Sequence, residues 1–395
     1  MANREFLLSE LLTNTSTPPV MEARRWIDEG KLNPALSLMN LSQAAPIEAP
    51  PQELIDDIKN SLNSISSHTY GPVLGLNELR TEVSKKWTAT YDAEIHPNEV
   101  AITSGCNQAF CTAISIIAKP GDKIILPVPW YFNHKMWLDI KGIEVSPLPC
   151  TENLEPDINQ LQELVDQDTK ALVLVTPNNP TGKEYSEEVL TKCAQFVKEN
   201  SLFLIVDETY KDFRSEKGAP HNLFKISDWR DWYIHLYSFS KSYRLTGHRV
   251  GLMISSSRYL AHAEKFLDTV SICPNPIGQK AALFGLQKLD KFLSDERDKI
   301  LERQVTLLEN FVDIKNWQII SSGAYFAYLR YEASNSAQKV VEKMLLEAST
   351  LILPGTMFGP KEDLNLQKTF RVAFANIENS EIIEFCNRLR QIDWK

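Results

Sequence analysis

The sequence has no apolar run long enough to cross a membrane. A spanning helix needs about 20 consecutive apolar residues, whereas the longest apolar runs here, "ALVLVTP" and "LFLIVDE", have the length of β-strands. The segment "MANREFLLSELLTNTSTPPV" at the start contains acidic residues and no uninterrupted apolar core, unlike a signal or transit peptide. We therefore expect a protein with no membrane partner.

The chain also lacks an excess of positive charge. It contains 42 Lys and Arg residues against 51 Asp and Glu residues, which gives a formal net charge of -9. Broad nucleic-acid binding requires a basic surface, because the phosphate backbone supplies most of the attraction. The composition therefore argues against a nucleic-acid partner.

Cysteine is scarce and scattered, and no two cysteines form a C-x-x-C pair. The six residues are Cys106, Cys111, Cys150, Cys193, Cys273 and Cys386. The seven histidines show no metal-ligand spacing. In a chain of this length the pattern predicts reduced thiols, a cytoplasmic protein and no bound metal.

Near Ala101, short β-rich runs begin to alternate with helical stretches. The runs are "VAITSG", "KIILPVP", "IEVSPLP", "ALVLVTP", "LFLIVDE", "YIHLYSFS" and "VGLMIS". Continuous apolar strands separated by helices are typical of a mostly parallel sheet with both faces covered. The predicted fold class is therefore α/β, a three-layer sandwich around a mostly parallel sheet.

The pattern changes again near Pro276. A long helical stretch from "IGQKAALFGLQKL" through "DERDKILERQVTLLENFV" precedes four more β-rich runs and two more helices. This succession predicts a smaller α+β unit. We divide the chain into an arm over 1–49 that packs on the smaller unit and the site, a large unit over 50–280 and a small unit over 281–395.

Four of the β-runs are followed by polar or flexible residues. Gly105 ends "VAITSG", Asn179 lies in "NNPTG", Asp207 ends "LFLIVD", and Lys241 follows "YIHLYSFS". Each has an ordinary explanation on its own, as a turn, a helix cap or a solvated lysine. The carboxyl ends of parallel strands, however, lie at one edge of a sheet. We therefore expect an anion-binding turn, an amide, a carboxylate and an amine to surround one ligand.

This set of groups suits an aromatic phosphate ester that carries a ring nitrogen and an aldehyde. The amine of Lys241 would form an imine, and Asp207 would hold the ring nitrogen protonated. Nearby hydroxyl groups and Arg249 would bind the phosphate, helped by the N-terminus of the helix that follows Gly105.

The motifs "NNPTG", "VDETY" and "SFSKSYRLTGHRVG" occur in this order, and through them the sequence resembles the class I/II aminotransferases. These are pyridoxal-phosphate enzymes of the aspartate-aminotransferase fold, and the resemblance extends from "YGPVLGLNELR" through "TFRVAFAN". It implies that the large unit binds pyridoxal 5'-phosphate, with Lys241 as the Schiff-base lysine and Asp207 as the partner of the pyridine nitrogen. It also implies a ping-pong transfer of an amino group from an L-amino acid to a 2-oxo acid.

The resemblance assigns further cofactor contacts by motif. Asn179 and Tyr210 match residues that hydrogen-bond the 3-oxygen of the cofactor, and Tyr131 in "PWYFNHK" matches the stacked ring, with Trp130 as the alternative. The phosphate site is matched by Gly105, Cys106, Asn107, Ser238, Ser240 and Arg249. Family likeness also predicts cis peptide bonds before Pro129 and Pro180.

Tyr70 in "TYGP" matches a tyrosine that reaches the phosphate of the neighbouring subunit. This match implies a homodimer related by a two-fold axis, in which each active site takes one residue from the other chain.

Arg371 in "FRVAFAN" matches the arginine that clamps the α-carboxylate of the substrate. Two family devices for a second substrate carboxylate are not evident: Cys273 stands where a partner arginine aligns, and Asn107 stands where a lysine aligns. Lys265 or Arg24 could substitute for them. The sequence therefore argues mildly against aspartate as the substrate.

Ala44 in "LSQAAP" replaces a glycine of the segment over the substrate, and its methyl group would narrow the pocket or shift the segment. The stretches "WYFNH" and "RRWI" could line a pocket for an aromatic or large neutral amino acid. Alternatively, Trp26 and Phe132 belong to the packed core.

Two other classes of function remain open on the same scaffold. One is a pyridoxal-phosphate lyase, decarboxylase or oxidase, since a fold does not determine the reaction. The other is a regulator that binds the cofactor without catalysis, which the intact set of Lys241, Asp207 and Arg371 disfavours.

Overall fold

The computed structural model describes residues 7–29, 32–332 and 335–394. In chain order the strands are β1 (Met39–Asn40), β2 (Val100–Thr103), β3 (Lys123–Val128), β4 (Glu144–Pro149), β5 (Thr169–Val175), β6 (Phe203–Asp207), β7 (Tyr233–Ser238), β8 (Gly251–Ile254), β9 (Trp317–Gly323), β10 (Phe326–Tyr331), β11 (Thr350–Leu351), β12 (Leu353–Pro354) and β13 (Thr369–Val372). The helices are α1 (Glu10–Asn14), α2 (Pro19–Asp28), α3 (Gln52–Ser61), α4 (Asn77–Tyr91), α5 (Cys106–Ile117), α6 (Phe132–Ile140), α7 (Glu187–Glu199), α8 (Trp229–Trp232), α9 (Phe239–Ser242), α10 (Ser257–Ser271), α11 (Pro276–Lys288), α12 (Asp290–Asn310), α13 (Ala337–Ala348) and α14 (Asn379–Gln391).

The central sheet has seven strands in the order β2-β8-β7-β6-β5-β3-β4. Only β8 runs against its two neighbours, while the other pairs are parallel. Because β8 is antiparallel to both β2 and β7, the carboxyl end of β2 lies at the same edge as those of β3, β5, β6 and β7. The start of β8 lies at that edge too, where Gly251 pairs with Thr103 and Ser238.

The sheet separates two hydrophobic cores, because successive side chains of a strand point to opposite faces. In β5, Leu172 and Leu174 belong to one buried cluster and Val173 to the other. In β6, Leu204 and Val206 join the first cluster, while Ile205 joins the second. Helices cover both faces, which makes the three-layer arrangement that the continuous apolar runs predict.

The C-terminal part of the chain builds a second, antiparallel sheet of four strands in the order β12-β13-β10-β9. A separate pairing of β1 with β11 attaches the N-terminal arm to this region. One buried cluster joins side chains of the arm, such as Trp26 and Leu41, to those of α12, α13 and α14. The division at residues 49 and 280 stays a prediction.

The α/β class, the mostly parallel sheet and the smaller α+β region are confirmed. The predicted cis bonds before Pro129 and Pro180 are present, together with a third between Thr176 and Pro177 that the sequence did not suggest. The long helical stretch after Pro276 is in fact two helices that meet at Leu289. The backbone of Leu289 leaves the helical region, and its side chain is buried in the core.

The turn that contains Gly182 packs directly against the small sheet at Gly323. A Cβ atom on Gly323 would lie 2.3 Å from the carbonyl oxygen of Gly182. Because that oxygen belongs to the backbone, it cannot move aside as a flexible side chain could.

We predict that Gly323→Ala lowers the free energy of unfolding by about 1–3 kcal/mol, the usual cost of overpacking. Gly247→Ala is the control, since a Cβ at Gly247 meets no atom within 4 Å. Urea unfolding followed by circular dichroism measures both variants. Wild-type stability in Gly323→Ala would contradict the close contact.

Candidate active site

Segments that are far apart in sequence meet at a single cavity of about 510 Å³ at the carboxyl edge of the central sheet. Its lining includes most of the site residues that the sequence predicts. The lining residues are Pro18, Val20, Gln43, Ala44, Ala45, Cys106, Asn107, Tyr131, Phe132, Asn133, Val175, Asn179, Asp207, Thr209, Tyr210, Ser238, Ser240, Lys241, Thr246, Arg249 and Arg371.

One end of the cavity is built to receive an anion. The helix α5 begins there at Cys106, and its first N–H groups have no partners within the helix. Gly105 precedes it with φ of 83°, and a Cβ at this position would lie 2.3 Å from Nη2 of Arg249. Only glycine lets the guanidinium lie against the turn. The buried hydroxyl groups of Ser238 and Ser240 face the same space.

The carboxylate of Asp207 is buried and stands in the middle of the lining. Thr209 donates to Oδ1 from its backbone N–H at 3.0 Å and from its hydroxyl at 2.7 Å. His134 Nε2 lies 3.4 Å from Oδ2. Burial acts to raise the pKa of Asp207, but the His134 contact and the Thr209 donors outweigh it, so the pKa lies below its usual value.

His134 and Thr209 are functional candidates that the sequence analysis missed. Thr209 follows Asp207 by two residues, a common spacing for a side chain that caps a turn. His134 lies three residues after Tyr131, the residue that precedes α6, and the two rings pack edge to face with 5.0 Å between their centroids. That spacing is the signal that could have found it.

Lys241 lies in the short helix α9 and donates a hydrogen bond to the carbonyl oxygen of Ala44. Burial, with added repulsion from Arg249 and Arg371, lowers the pKa of Lys241 to about 8. A pKa in this range leaves a large fraction of the amine neutral near pH 8.

Arg371, on β13, brings the small sheet into the site. Its guanidinium is 2% exposed, and Nη1 donates to Oδ1 of Asn179 at 3.1 Å. Nη2 donates to the carbonyl oxygen of Ser42, whereas Nε has no hydrogen-bond partner. Burial lowers the pKa of Arg371 to about 10, and the charge is still retained at neutral pH.

Two aromatic residues of the predicted set, Tyr131 and Tyr210, lie on the cavity wall. Trp130, the alternative to Tyr131, packs in the core behind the sheet instead. Tyr131 also donates from its hydroxyl to Asn107 Oδ1 at 3.4 Å.

The remaining predicted residues lie elsewhere in this chain. Tyr70 is 80% exposed and borders a separate surface cavity of about 650 Å³ that also includes Cys273. Arg24 and Lys265 are exposed and do not line the site cavity. Trp26 is buried in the core, so of the two candidate pocket aromatics only Phe132 reaches the cavity.

The fold and the site together have the features of an α/β enzyme with a cavity suited to small anionic molecules at the carboxyl edge of its sheet. A family model described as aminotransferase class I and II matches residues 37–389, and the chain belongs to this family. By family and by its relatives it is an aminotransferase.

Known proteins with different substrate names resemble the chain about equally well. It is 26% identical to the aspartate aminotransferase of Pyrococcus abyssi over 87% of this chain and 90% of the relative. It is 27% identical to the aromatic aminotransferase ISS1 of Arabidopsis thaliana over 98% and 96%. The solved structure of aspartate aminotransferase from Thermus thermophilus with maleate superposes with a TM-score of 0.88 at 22% identity, covering 98% of this chain and 100% of that chain.

The family depends on pyridoxal 5'-phosphate, and the residues of this chain fit that group. The helix start after Gly105 together with Arg249 suits the phosphate, Asp207 suits a protonated ring nitrogen, and Lys241 suits an aldehyde. The unpartnered Nε of Arg371 leaves a donor for the carboxylate of a substrate. Across the described residues, no helix is both long enough and apolar enough to span a membrane.

Proposed function

We propose that this aminotransferase moves an amino group from an L-amino acid to a 2-oxo acid in two half-reactions, with Lys241 as its central residue. One observation carries the proposal. Lys241, Arg249 and Arg371 line one cavity, and within the described ranges none of them forms an ion pair with a carboxylate. Because the buried Arg371 and the half-buried Lys241 lie there without an acidic partner, the cavity is suited to anionic ligands.

Pyridoxal phosphate would be held by the residues that the cavity provides for each of its parts. The helix start at Cys106, the hydroxyls of Ser238 and Ser240, and Arg249 would bind the phosphate group. Asp207 would bind the ring nitrogen, kept anionic by Thr209 and His134. Tyr131 would cover the ring face, and Asn179 and Tyr210 would bind the 3-oxygen. The bound cofactor supplies an electron sink for the charge that develops at the substrate α-carbon.

Lys241 would accept the proton from the substrate α-carbon and return a proton at the end of each half-reaction. That role requires a neutral amine, which the pKa of about 8 makes available. The carbonyl oxygen of Ala44, which accepts a hydrogen bond from the amine, holds the side chain at the cavity wall.

Arg371 would bind the α-carboxylate, a group that amino acids and 2-oxo acids share. Its contacts with Asn179 and Ser42 orient the guanidinium before a substrate arrives. An oriented arginine can form two parallel hydrogen bonds to a carboxylate.

We predict that Lys241→Ala abolishes transamination, with a loss of at least about a thousandfold in turnover, because the variant has no amine to transfer the proton. The purified protein is loaded with pyridoxal phosphate and mixed with an amino acid but no acceptor, and release of the 2-oxo acid is measured. Lys291→Ala, at a site where the side chain is 86% exposed, is the control. Retained activity in Lys241→Ala would refute the proposal.

For the substrate, we propose an aromatic or large neutral amino acid. Away from Lys241, Arg249 and Arg371, the cavity is lined by Pro18, Val20 and Phe132 and by the uncharged amides of Asn107 and Asn133. No further cation of the described chain lines it to pair with a second substrate carboxylate. An apolar substrate side chain therefore binds more favourably against these residues than an acidic side chain does.

We predict that the half-reaction with phenylalanine, tyrosine or leucine exceeds that with aspartate by at least about tenfold in kcat/KM, equivalent to about 1.4 kcal/mol. Asn107→Lys, which adds a cation at the cavity, should raise kcat/KM for aspartate by a similar factor. Asn107→Gln is the neutral control. Preference of the wild type for aspartate would contradict the substrate proposal.

For the assembly, we propose a homodimer in which Tyr70 of one chain serves the phosphate end of the other site. The 80% exposure of Tyr70 supports this, since the side chain is free to contact a second chain. Two further apolar side chains are exposed nearby in sequence. Ile65, in the segment of Tyr70, is 78% exposed, and Ile272, next to Cys273, is 41% exposed.

We predict that an inactive variant and an impaired variant regain activity when they are mixed. Tyr70→Ala should weaken turnover on the order of tenfold by removing a hydrogen bond to a charged group. A hybrid of Lys241→Ala with Tyr70→Ala contains one complete site, so random exchange of subunits should restore about a quarter of the wild-type activity. The control is a mixture of the two variants that is assayed before their subunits have exchanged. No gain above the average of the two variants would show that Tyr70 does not act across subunits.

A further inference from the structure

Polar side chains are buried on the face of the central sheet opposite the cavity. The first group, the Glu208 cluster, comprises Glu208, Tyr91, His221 and His235, none of which is more than 1% exposed. Tyr91 donates its hydroxyl to Oε2 of Glu208 at 2.5 Å. The same oxygen lies 3.0 Å from His235 Nδ1 and 3.2 Å from His221 Nε2.

The proton positions in this cluster follow from the donors around it. The indole N–H of Trp87 donates to His235 Nε2 at 2.9 Å, and the backbone N–H of Leu223 donates to His221 Nδ1 at 3.1 Å. Each imidazole therefore carries its proton on the nitrogen that faces Glu208. Glu208 is an anion surrounded by neutral donors. A metal ion among these three residues is excluded, because both N–H bonds point to the place that it would occupy.

The second group, the Asp212 cluster, comprises Asp212, Lys211, Tyr237 and Ser242. Lys211 Nζ donates to Oδ1 of Asp212 at 2.7 Å. Tyr237 and Ser242 donate their hydroxyls to Oδ2 at 2.5 Å and 2.9 Å. Both charged side chains are almost fully buried, at 9% and 13% exposure, so this pair is rigidly held.

Trp87, on α4, contacts both clusters with one ring. Its N–H group binds His235 of the Glu208 cluster, and its face lies 4.6 Å from Nζ of Lys211 in the Asp212 cluster. The ring also packs edge to face on Tyr237, with 5.0 Å between the centroids. Trp87 is 2% exposed and does not line the cavity.

The two clusters are attached to the site through the chain itself. Glu208 follows Asp207, Lys211 follows Tyr210, and Ser242 follows Lys241. The cavity residues Asp207, Tyr210 and Lys241 are thus each followed by a residue that belongs to one of the two buried clusters.

We propose that Trp87 is a positioning residue for the amino-transfer reaction: by joining the Glu208 and Asp212 clusters, it fixes the spacing of Asp207, Tyr210 and Lys241. This inference rests on the proposed role of Lys241. Substitution of Trp87 lets the α9 segment shift relative to the end of β6. A shift of about 1 Å between reacting groups can cost about a hundredfold in rate.

The test compares Trp87→Phe with Trp229→Phe. Phenylalanine keeps an aromatic ring at position 87 but removes the N–H donor and weakens the contact with Lys211. Trp229 is buried to 1% in the same hydrophobic core and has no contact with Lys211 or Asp212. We expect both variants to lower the melting temperature of the cofactor-free protein to a similar extent. Only Trp87→Phe should lower kcat, by about tenfold or more, with KM changed less than about twofold.

A second measurement reports on the surroundings of Lys241 through the pH dependence of its acylation, and it does not require turnover. The amine of the cofactor-free protein is acylated at a series of pH values, and the labelled peptide is quantified by mass spectrometry. In the wild type the midpoint should lie near the pKa of about 8 that burial, Arg249 and Arg371 produce. In Trp87→Phe the lysine is less confined, so the midpoint should rise by roughly one unit toward the ordinary value.

If Trp87→Phe loses thermal stability as Trp229→Phe does, but keeps the wild-type kcat and labelling midpoint, the proposal is overturned. Ser242→Ala removes the hydroxyl that links the α9 segment to Asp212, and it replaces Trp87→Phe in the test if that variant does not fold. It should lower kcat and raise the labelling midpoint of Lys241, as Trp87→Phe does. Unchanged values of both would overturn the proposal. Failure of the proposed function shows separately, as activity retained by Lys241→Ala.

Discussion

The arrangement of this molecule depends on three cations held around one cavity without acidic partners. Lys241 and Arg249 come from the edge of the central sheet, and Arg371 comes from the small sheet. Their mutual repulsion opposes folding, and among the described residues Asp207 is the carboxylate that shares the cavity lining with them. Two bound anions, a phosphate and a carboxylate, would offset that repulsion. Ligand binding should therefore stabilise the folded protein.

The pleat of the strands lets the same short segments serve two purposes. Asp207 faces the cavity, whereas Glu208 faces the opposite layer and is held there by Tyr91 and two neutral histidines. Near the end of β7, Ser238 reaches the cavity and Tyr237 reaches Asp212. Each of these site residues thus has a neighbour in the packed layer, which keeps its position defined, although Oε1 of Glu208 has no hydrogen-bond partner among the described residues.

The sequence predicted the parts of the site that depend on strand ends, because apolar runs locate strands and parallel strands end at one edge. Asp207, Lys241 and Asn179 were found in this way. The partners of these residues were not found, since His134 and Trp87 project from helices whose orientation depends on packing with distant segments. The break at Leu289 has the same cause: the local pattern stays helical, and only the buried position of the side chain selects another backbone conformation.

The cavity also explains where selectivity must lie. In the proposed function, the donor and the acceptor would both present a carboxylate to Arg371, so this contact would not distinguish them from other amino and oxo acids. The groups around Gly105, Arg249 and Asp207 would serve the cofactor in both half-reactions. Discrimination would therefore fall to the uncharged part of the lining that includes Pro18, Val20 and Phe132. An apolar pocket separates substrates mainly by size, about 1–3 kcal/mol for each methylene group, which favours a family of related substrates over a single one.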